Sequence, residues 1–590
     1  MCRIVGVLDK TSQHLKRDVV AMRDAMYRGG PDSAGLYYDA ENCIAFGHRR
    51  LSIIDISNSG NQPMANAAED IVIIFNGEIY NYLELRQELV QAGYTFNSHS
   101  DTEVILRGYE NWGTACFTRF KGMFAIAIWD KRKQIVVIAR DHAGIKPLYY
   151  YKDTTSLYFA SEVRAFNAIE KQWEENPLWK VYFLTYGFLP HPITTLKDVK
   201  PLEKGSFIVF HTETLEMEQS FFYQDRYAET VTDSEEAKAL VQKALHKAVE
   251  RHLIADAPIG LFLSGGLDSS LLTILAKEYK SELHTLSIIF GEEKYSEKYY
   301  QDIVSRQVDS KHQAFLLDKQ QFEAAIPDIM AAMDQPSTDG INSYFISKFA
   351  KEAGLKAVLS GLGADELFGG YPSFQREHLI RNLRMLPNFL LKQAHRIPAN
   401  KYQKVSFLGT PSPIGNYLFN RGYFIPQETA QLFDLSLDQV NSLLFDEELS
   451  MLQDTISEGN KNSFLESNLY MQSQLLKDTD FMSMWHSIEV RVPFLDYDLI
   501  ATAHRISSQL KFANKQGKFL LIDSFREILP QEIWDRKKRG FQLPFDNWMQ
   551  SSLDQYVITA KDIEVHKKFT SGQLNWSRYW AYILSQTFKH

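Results

Sequence analysis

The chain has 590 residues, 45% hydrophobic and 23% charged, an ordinary globular composition with room for roughly two to four domains. Its formal net charge of −9 argues against wholesale nucleic-acid binding and leaves one local polyanion candidate, Arg536-Lys537-Lys538-Arg539. Three scattered cysteines exclude a disulfide framework and a zinc cluster; with neither a membrane-length apolar stretch nor a signal-peptide pattern, the reading is a cytoplasmic protein.

The chain opens Met1-Cys2-Arg3-Ile4-Val5-Gly6-Val7, a cysteine directly after the initiator and ahead of a strand pattern. Removal of Met1 gives Cys2 a free α-amine that titrates near neutrality and can act as base for its own thiol. A merely tolerated cysteine is the alternative. Short strand patterns follow: Ile71 to Phe75 runs into Asn76-Gly77-Glu78, and Phe124 to Trp129 pairs with Gln134 to Ala139 as a hairpin. Helical spacing recurs at Leu83, Leu85, Leu89 and Val90 and from Val104 to Tyr109, which predicts antiparallel sheets covered by helices, an α+β region.

Several stretches of this region together resemble the class II glutamine amidotransferase domain. They are Cys2, Arg50-Leu51-Ser52-Ile53-Ile54-Asp55, Asn76-Gly77-Glu78-Ile79-Tyr80-Asn81, Ser100-Asp101-Thr102-Glu103, and Arg140 to Tyr150. The resemblance implies an N-terminal-nucleophile glutaminase with an αββα sandwich. In it Cys2 attacks the glutamine amide, a glutamyl thioester forms and ammonia leaves. Asn76 and Gly77 are implied as the oxyanion hole, which suits an amide and a backbone N–H. Arg50 and Asp101 are implied to hold the carboxylate and amine of glutamine, with Leu51, Ser52, Ile53, Ile54 and Glu78 around it. Asp101 also reads as a cap for the helix that follows. One departure is Arg28-Gly29-Gly30-Pro31-Asp32, where the family commonly has His-Arg-Gly-Pro-Asp.

Strand-like segments reach about Phe210, and Thr212 to Ser234 is polar and turn-rich, so the domains read as 2–215 and 234–590. A helical stripe from Ala237 to Val249 opens the second. Apolar strands then alternate with helical patterns: Ile259 to Leu263, Leu283 to Phe290, Ala314 to Leu317, and Ala357 to Ser360. This alternation predicts α/β with a parallel sheet, whose ligands collect at the carboxyl ends of the strands.

Two glycine-rich turns lie at such ends. Ser264-Gly265-Gly266-Leu267-Asp268-Ser269-Ser270 reads as strand, tight turn and helix start, a cradle for a phosphate or an ordinary glycine turn. It lacks the lysine of a Walker loop, so cationic support must come from a metal or from elsewhere in the chain. Ser360-Gly361-Leu362-Gly363-Ala364-Asp365-Glu366 is the second turn, and Asp268 and Asp365 are placed to share a magnesium ion.

These turns, with Ser487 to Asp496 and Arg536 to Phe541, resemble the ATP-pyrophosphatase domain of the asparagine synthetases. The resemblance implies that Leu263, Ser264, Gly265, Gly266, Asp268, Ser269, Ser270, Ile288, Ser360 and Gly361 meet ATP or its pyrophosphate. Asp268 and Asp365 would hold Mg2+, and Lys538 would reach the phosphates or the acyl-adenylate. The implied reaction is ATP-dependent amidation of a carboxylate with ammonia from glutamine, L-aspartate being the default acceptor. Leu362 departs from the Glu that asparagine-forming members commonly carry, which leaves a sugar uronate or natural-product acid as the alternative acceptor. A non-catalytic binder of glutamine or nucleotide is the reading from another class. The implied partners are small molecules, with no nucleic acid and no membrane, and a homodimer is compatible with the family. From about Gln375 to Asn460 the chain reads as helical without a motif, an acceptor-specific lid by hypothesis.

Overall fold

The computed structural model describes residues 2–397, 399–445, 456–512, 516–536 and 544–588. The N-terminal half stacks two antiparallel six-stranded sheets. Strand Arg3–Asp9 is central in the first, paired with Ile44–Arg50 and Ser156–Ala160. Strand Ile71–Ile79 in the second pairs with Gly122–Asp130, which pairs in turn with Ile135–Arg140.

Side-chain alternation builds the layers. Ile4 and Leu8 face the second sheet with Val72, Ile74, Ala127 and Trp129, while Val5 and Val7 face helix Leu15–Ala25. On the far side Ile71, Ile73 and Phe75 pack under helices Tyr82–Gln91 and Asp101–Trp112. The order is helix, sheet, sheet, helix, the αββα sandwich expected of this half. Burial of both faces explains why these strands read as unbroken apolar runs. The second sheet extends past residue 215, because Met217–Phe221 pairs with Ser206–His211. That edge strand is mostly exposed and polar, which is why its sequence resembles a linker.

The C-terminal half holds one parallel five-stranded sheet. Its spatial order is Lys311–Leu317, His284–Phe290, Ile259–Phe262, Ala357–Leu359, Glu489–Arg491. The chain runs outward from Ile259–Phe262 and then returns to its other side with Ala357–Leu359, so the order reverses between those two strands. A crevice opens at such a point, outside the carboxyl ends, and both glycine-rich turns lead off there. Helices Ser234–His252, Leu267–Tyr279 and Ile341–Glu352 cover the sheet. Among the described residues no helix is long and apolar enough to cross a membrane.

The halves share cores. Helix Trp179–Tyr186, early in the sequence, packs with Tyr417, Trp580 and Tyr582 of the C-terminal helices. The segment without a motif folds into short helices in this same cluster, among them Pro413–Arg421 and Pro426–Phe433.

Trp129 is fully buried between the two antiparallel sheets. Trp129→Ala is expected to destabilise the protein by about 3–5 kcal/mol, read as a lower urea midpoint with an unchanged slope.

Candidate functional site

Cys2 lies at the end of strand Arg3–Asp9 in a cavity shared with Arg50, Leu51, Ile53, Ile54, Gly77, Glu78 and Asp101. The nitrogen of Cys2, the α-amine once Met1 is gone, donates to Asn76 Oδ1 at 3.1 Å. Asn76 is fully buried, and among the described residues its Nδ2 has no hydrogen-bond partner. That leaves a buried, unspent donor beside the Cys2 thiol, available to an oxygen that gains charge there. Gly77 has φ +151°, and a Cβ there would sit 1.9 Å from the Met123 carbonyl oxygen, so no side chain fits. Burial pushes the Cys2 thiol up, opposed by the nearby N-terminal charge, the Leu51 N–H and Arg50.

Arg50 spends its guanidinium on its own loop, donating from Nη1 to Ser57 O at 2.7 Å and Asn61 Oδ1 at 2.9 Å, and from Nη2 to the Asp55 carbonyl. It therefore fixes the loop that walls the cavity while keeping its charge there. Ser52 is not part of the lining; its N–H donates to Asp32 Oδ2 at 2.8 Å. The helix cap is Ser100, which accepts from Thr102 N, whereas Asp101 accepts from Ile79 N at 3.0 Å. Asp101 is thus freed from capping and turned toward the strand that carries Asn76 and Gly77. Burial pushes its carboxyl up to about 6.

In the other half, Gly265 takes φ +83°, which lets the first turn reverse tightly. Ser264 Oγ accepts from Gly266 N at 3.2 Å and lies 3.0 Å from Ser269 Oγ. Ser270 Oγ is buried without a partner among the described residues. Leu263 donates its N–H to Leu286 O at 2.8 Å, and Ile288 is buried on the neighbouring strand. The second turn packs directly on the first: a Cβ on Gly361 would lie 2.8 Å from Asp268 Cβ. Ser360 at its start is tied to the edge strand, donating its N–H to Arg491 O at 2.8 Å.

Asp268 and Asp365 are brought to one point, both within ion-pair distance of Lys518 Nζ, at 2.5 and 2.6 Å. This buried ammonium, with its pKa held above the ordinary lysine value, is a cation that a Walker lysine's absence called for. Nothing in the sequence marks Lys518, a lone lysine before an apolar run. Among the described residues no cluster of three or more His, Cys, Asp or Glu is ready for a metal. Two converging carboxylates nonetheless fit Mg2+, which commonly takes one or two carboxylates and completes its shell with water and phosphate oxygens. Arg536 holds the first turn from outside, donating to Gly265 O at 2.9 Å, pairing with Glu297 at 2.9 Å and stacking on Tyr300. Lys538 lies outside the described residues.

The two sites are joined by buried charge. Arg491, fully buried, pairs with Glu489 at 2.6 Å and reaches across to Glu78 in the Cys2 cavity at 3.4 Å. Burial and the Glu489 charge hold the Glu78 carboxyl well above its usual range. Arg3, next to Cys2, pairs with Glu162 at 2.6 Å and with Asp480 of the C-terminal half at 2.8 Å. Gly29 makes this possible, since a Cβ on it would meet Arg3 Cγ at 2.6 Å and Nε at 2.8 Å. An arginine at position 29, as the resembling family has, would compete for space that Arg3 fills from another strand.

Fold and sites together define a protein with an N-terminal-nucleophile glutamine amidotransferase half and a parallel-sheet half of the pyrophosphatase type. Residues 1–223 match the glutamine amidotransferase domain and residues 240–568 match asparagine synthase. Asparagine synthetase [glutamine-hydrolyzing] 1 of Bacillus subtilis is 32% identical, covering 96% of this chain and 92% of that protein. Asparagine synthetase B of Escherichia coli is 31% identical, covering 92% and 82%. Amidase chry2 of Gibberella zeae is 24% identical, covering 95% and 90%. The chain belongs to the glutamine-hydrolysing asparagine synthetase family.

Removing the Arg491 guanidinium strands two carboxyl groups in the interior. Arg491→Met is expected to cost about 3–5 kcal/mol, measured by urea denaturation of the full chain. An unchanged midpoint would show that the pair carries no stability.

Proposed function

We propose that the protein is a glutamine-dependent, ATP-dependent amide synthetase whose halves, read as 2–215 and 234–590, perform separate reactions. The observation that carries this is the pairing of Cys2 and its unspent Asn76 donor with two converging aspartates on glycine turns at the sheet's switch point. The Cys2 thiolate attacks the glutamine carboxamide carbon, and Asn76 Nδ2 and the Gly77 N–H receive the developing oxyanion. Ammonia leaves, and water releases glutamate from the thioester. Arg50 supplies charge for the substrate carboxylate, and Asp101 for its ammonium.

In the second half the acceptor carboxylate attacks the α-phosphorus of ATP, releasing pyrophosphate and leaving an acyl-adenylate. Ammonia arriving by an internal passage attacks the acyl carbon and displaces AMP. The turns Ser264–Ser270 and Ser360–Gly361 cradle the phosphates, while Lys518 and Arg536 support the turns and Lys538 serves the departing pyrophosphate. Mg2+, held by Asp268 and Asp365, would neutralise phosphate oxygens. L-Aspartate is the acceptor the family suggests. A bulkier acid is the second reading, favoured by Leu362, which packs against the apolar core where a carboxylate would serve the asparagine-forming members.

Cys2→Ala is expected to abolish amide formation from glutamine and to leave formation from ammonium salts intact; persisting glutamine use would overturn the division of labour. Asp101 is protonated below about pH 6, so its grip on an ammonium is present above that pH and lost as pH falls through it. The glutamine KM is therefore expected to climb about tenfold per pH unit below about 6. In Asp101→Asn a steady-state pH series is expected to show a uniformly high KM without that slope.

A further inference from the structure

One stretch of the surface stands apart in charge. From Arg376 to Lys404 the chain has seven lysines and arginines against a single acid, Glu377, in a protein whose formal net charge is −9. Its first part folds into two short helices, Glu377–Leu383 and Asn388–Gln393, joined by a turn that ends at Pro387. Both lie against one short length of chain. Arg384, just past the first helix, donates to Ser412 O at 3.0 Å and to Asn416 Oδ1 at 2.8 Å, and a Cβ on Gly409 would lie 2.5 Å from Lys392 Cγ of the second. Ile380 and Leu391 turn inward to the core shared with helix Pro413–Arg421.

The outer face of this helical pair is apolar and open. Leu379, Met385, Leu386, Phe389 and Leu390 are all exposed, Met385 by 82% and Phe389 by 65%. A single exposed apolar side chain is ordinary, but five large ones around one turn make a patch of the kind that marks a contact surface. Cations flank it. Arg376, Arg381, Lys392, Arg396 and Lys401 are exposed, and among the described residues none of them pairs with an acid. Behind them, burial and the charges of Arg578 and Arg376 push Lys404 down to about 8, so its charged neighbours are of like sign.

We propose that this face seats on an anionic lipid surface, with Met385, Leu386, Phe389 and Leu390 at the acyl boundary and the flanking cations among the head groups. Charge complementarity selects the occupant. A second copy of the chain, docked through the same face by a two-fold axis, would set the cations of one copy against those of the other. Nucleic acid would take the cations and leave the aliphatic side chains in water. An acidic protein would need a groove fitted to helices of only seven and six residues. A fluid bilayer accepts apolar tips without a fixed register, and lets lysine and arginine stems lie along them while their charges reach the phosphates. Since no helix among the described residues is long and apolar enough to cross a membrane, the contact is peripheral. The family resemblance implied no membrane partner, and this helical pair is the feature that departs from it. No residue of the patch belongs to the glutamine or the ATP site, so the lipid contact stands apart from the synthetase reading.

The test is co-sedimentation of the full chain with vesicles of pure phosphatidylcholine and of phosphatidylcholine mixed equally with phosphatidylglycerol. Binding is expected to the mixed vesicles alone, and to fall away between about 0.1 and about 1 M NaCl as the screening length shrinks from about 10 to about 3 Å. Arg381→Gln and Lys392→Gln are each expected to weaken it about fivefold, the share of one cation near such a surface. Met385→Ser combined with Phe389→Ser is expected to weaken it more than about tenfold, with the urea midpoint of the wild type retained. Should that midpoint move, the two charge variants decide. No binding to either vesicle, equal binding to both, or binding unchanged in both charge variants overturns the proposal. So does unchanged binding by a stably folded double variant. Self-association that rises with protein concentration in light scattering, is abolished by Phe389→Ser and occurs without vesicle binding assigns the face to a second copy and overturns it as well.

Discussion

The structure depends on charge buried where its two halves meet. Arg491 cannot be solvated, so it must have Glu489 beside it and Glu78 across the interface. Arg3 is equally enclosed and equally committed to Asp480. Arg491–Glu78 and Arg3–Asp480 form only when both halves are in place, whereas Glu489 and Glu162 pair the same two arginines within their own halves. Apolar packing alone would tolerate sliding between the halves. These pairs fix register, since an ion pair lost by a small displacement is expensive.

Both sites inherit their geometry from that constraint. Glu78 belongs to the strand that carries Asn76 and Gly77, and Arg491 ends the strand whose carbonyl holds Ser360. One ionic contact therefore lies between Asn76 and Gly77 in one half and the second glycine turn in the other. Further pairs, Lys356 with Asp32 at 2.7 Å and Lys121 with Asp498 at 2.8 Å, repeat the cross-link at the rim. They are half-exposed and contribute less. The central pairs carry the alignment.

Much of this was legible in the sequence. Strand and helix patterns gave antiparallel sheets covered by helices, which the family resemblance narrowed to an αββα sandwich, and the alternation of apolar strands with helical stripes gave the parallel sheet. Cys2, Asn76 and Asp101 were picked out because each lies in a short motif that carries the family resemblance, and the fold brings all three to one cavity or its wall. Lys518 was not legible: its partners Asp268 and Asp365 are brought to it only by the tertiary fold, and a single lysine carries no periodicity. The same holds for Arg3 and Arg491. Even the edge strand Met217–Phe221 was misread as linker, because exposure removes the alternation that marks a strand.

Arg3 and Gly29 have a consequence for anyone who would recombine such proteins. The guanidinium beside Cys2 is delivered from the first strand, and the loop that faces it has given up its side chain to let it pass. A chimera that grafts only the loop of a relative with arginine at position 29 must import that relative's first strand with it. Mixing the two would place two guanidinium groups in one slot, or none opposite Asp480. The unit of exchange is the strand, the loop and the distant helix together, although they are separated by more than four hundred residues of chain.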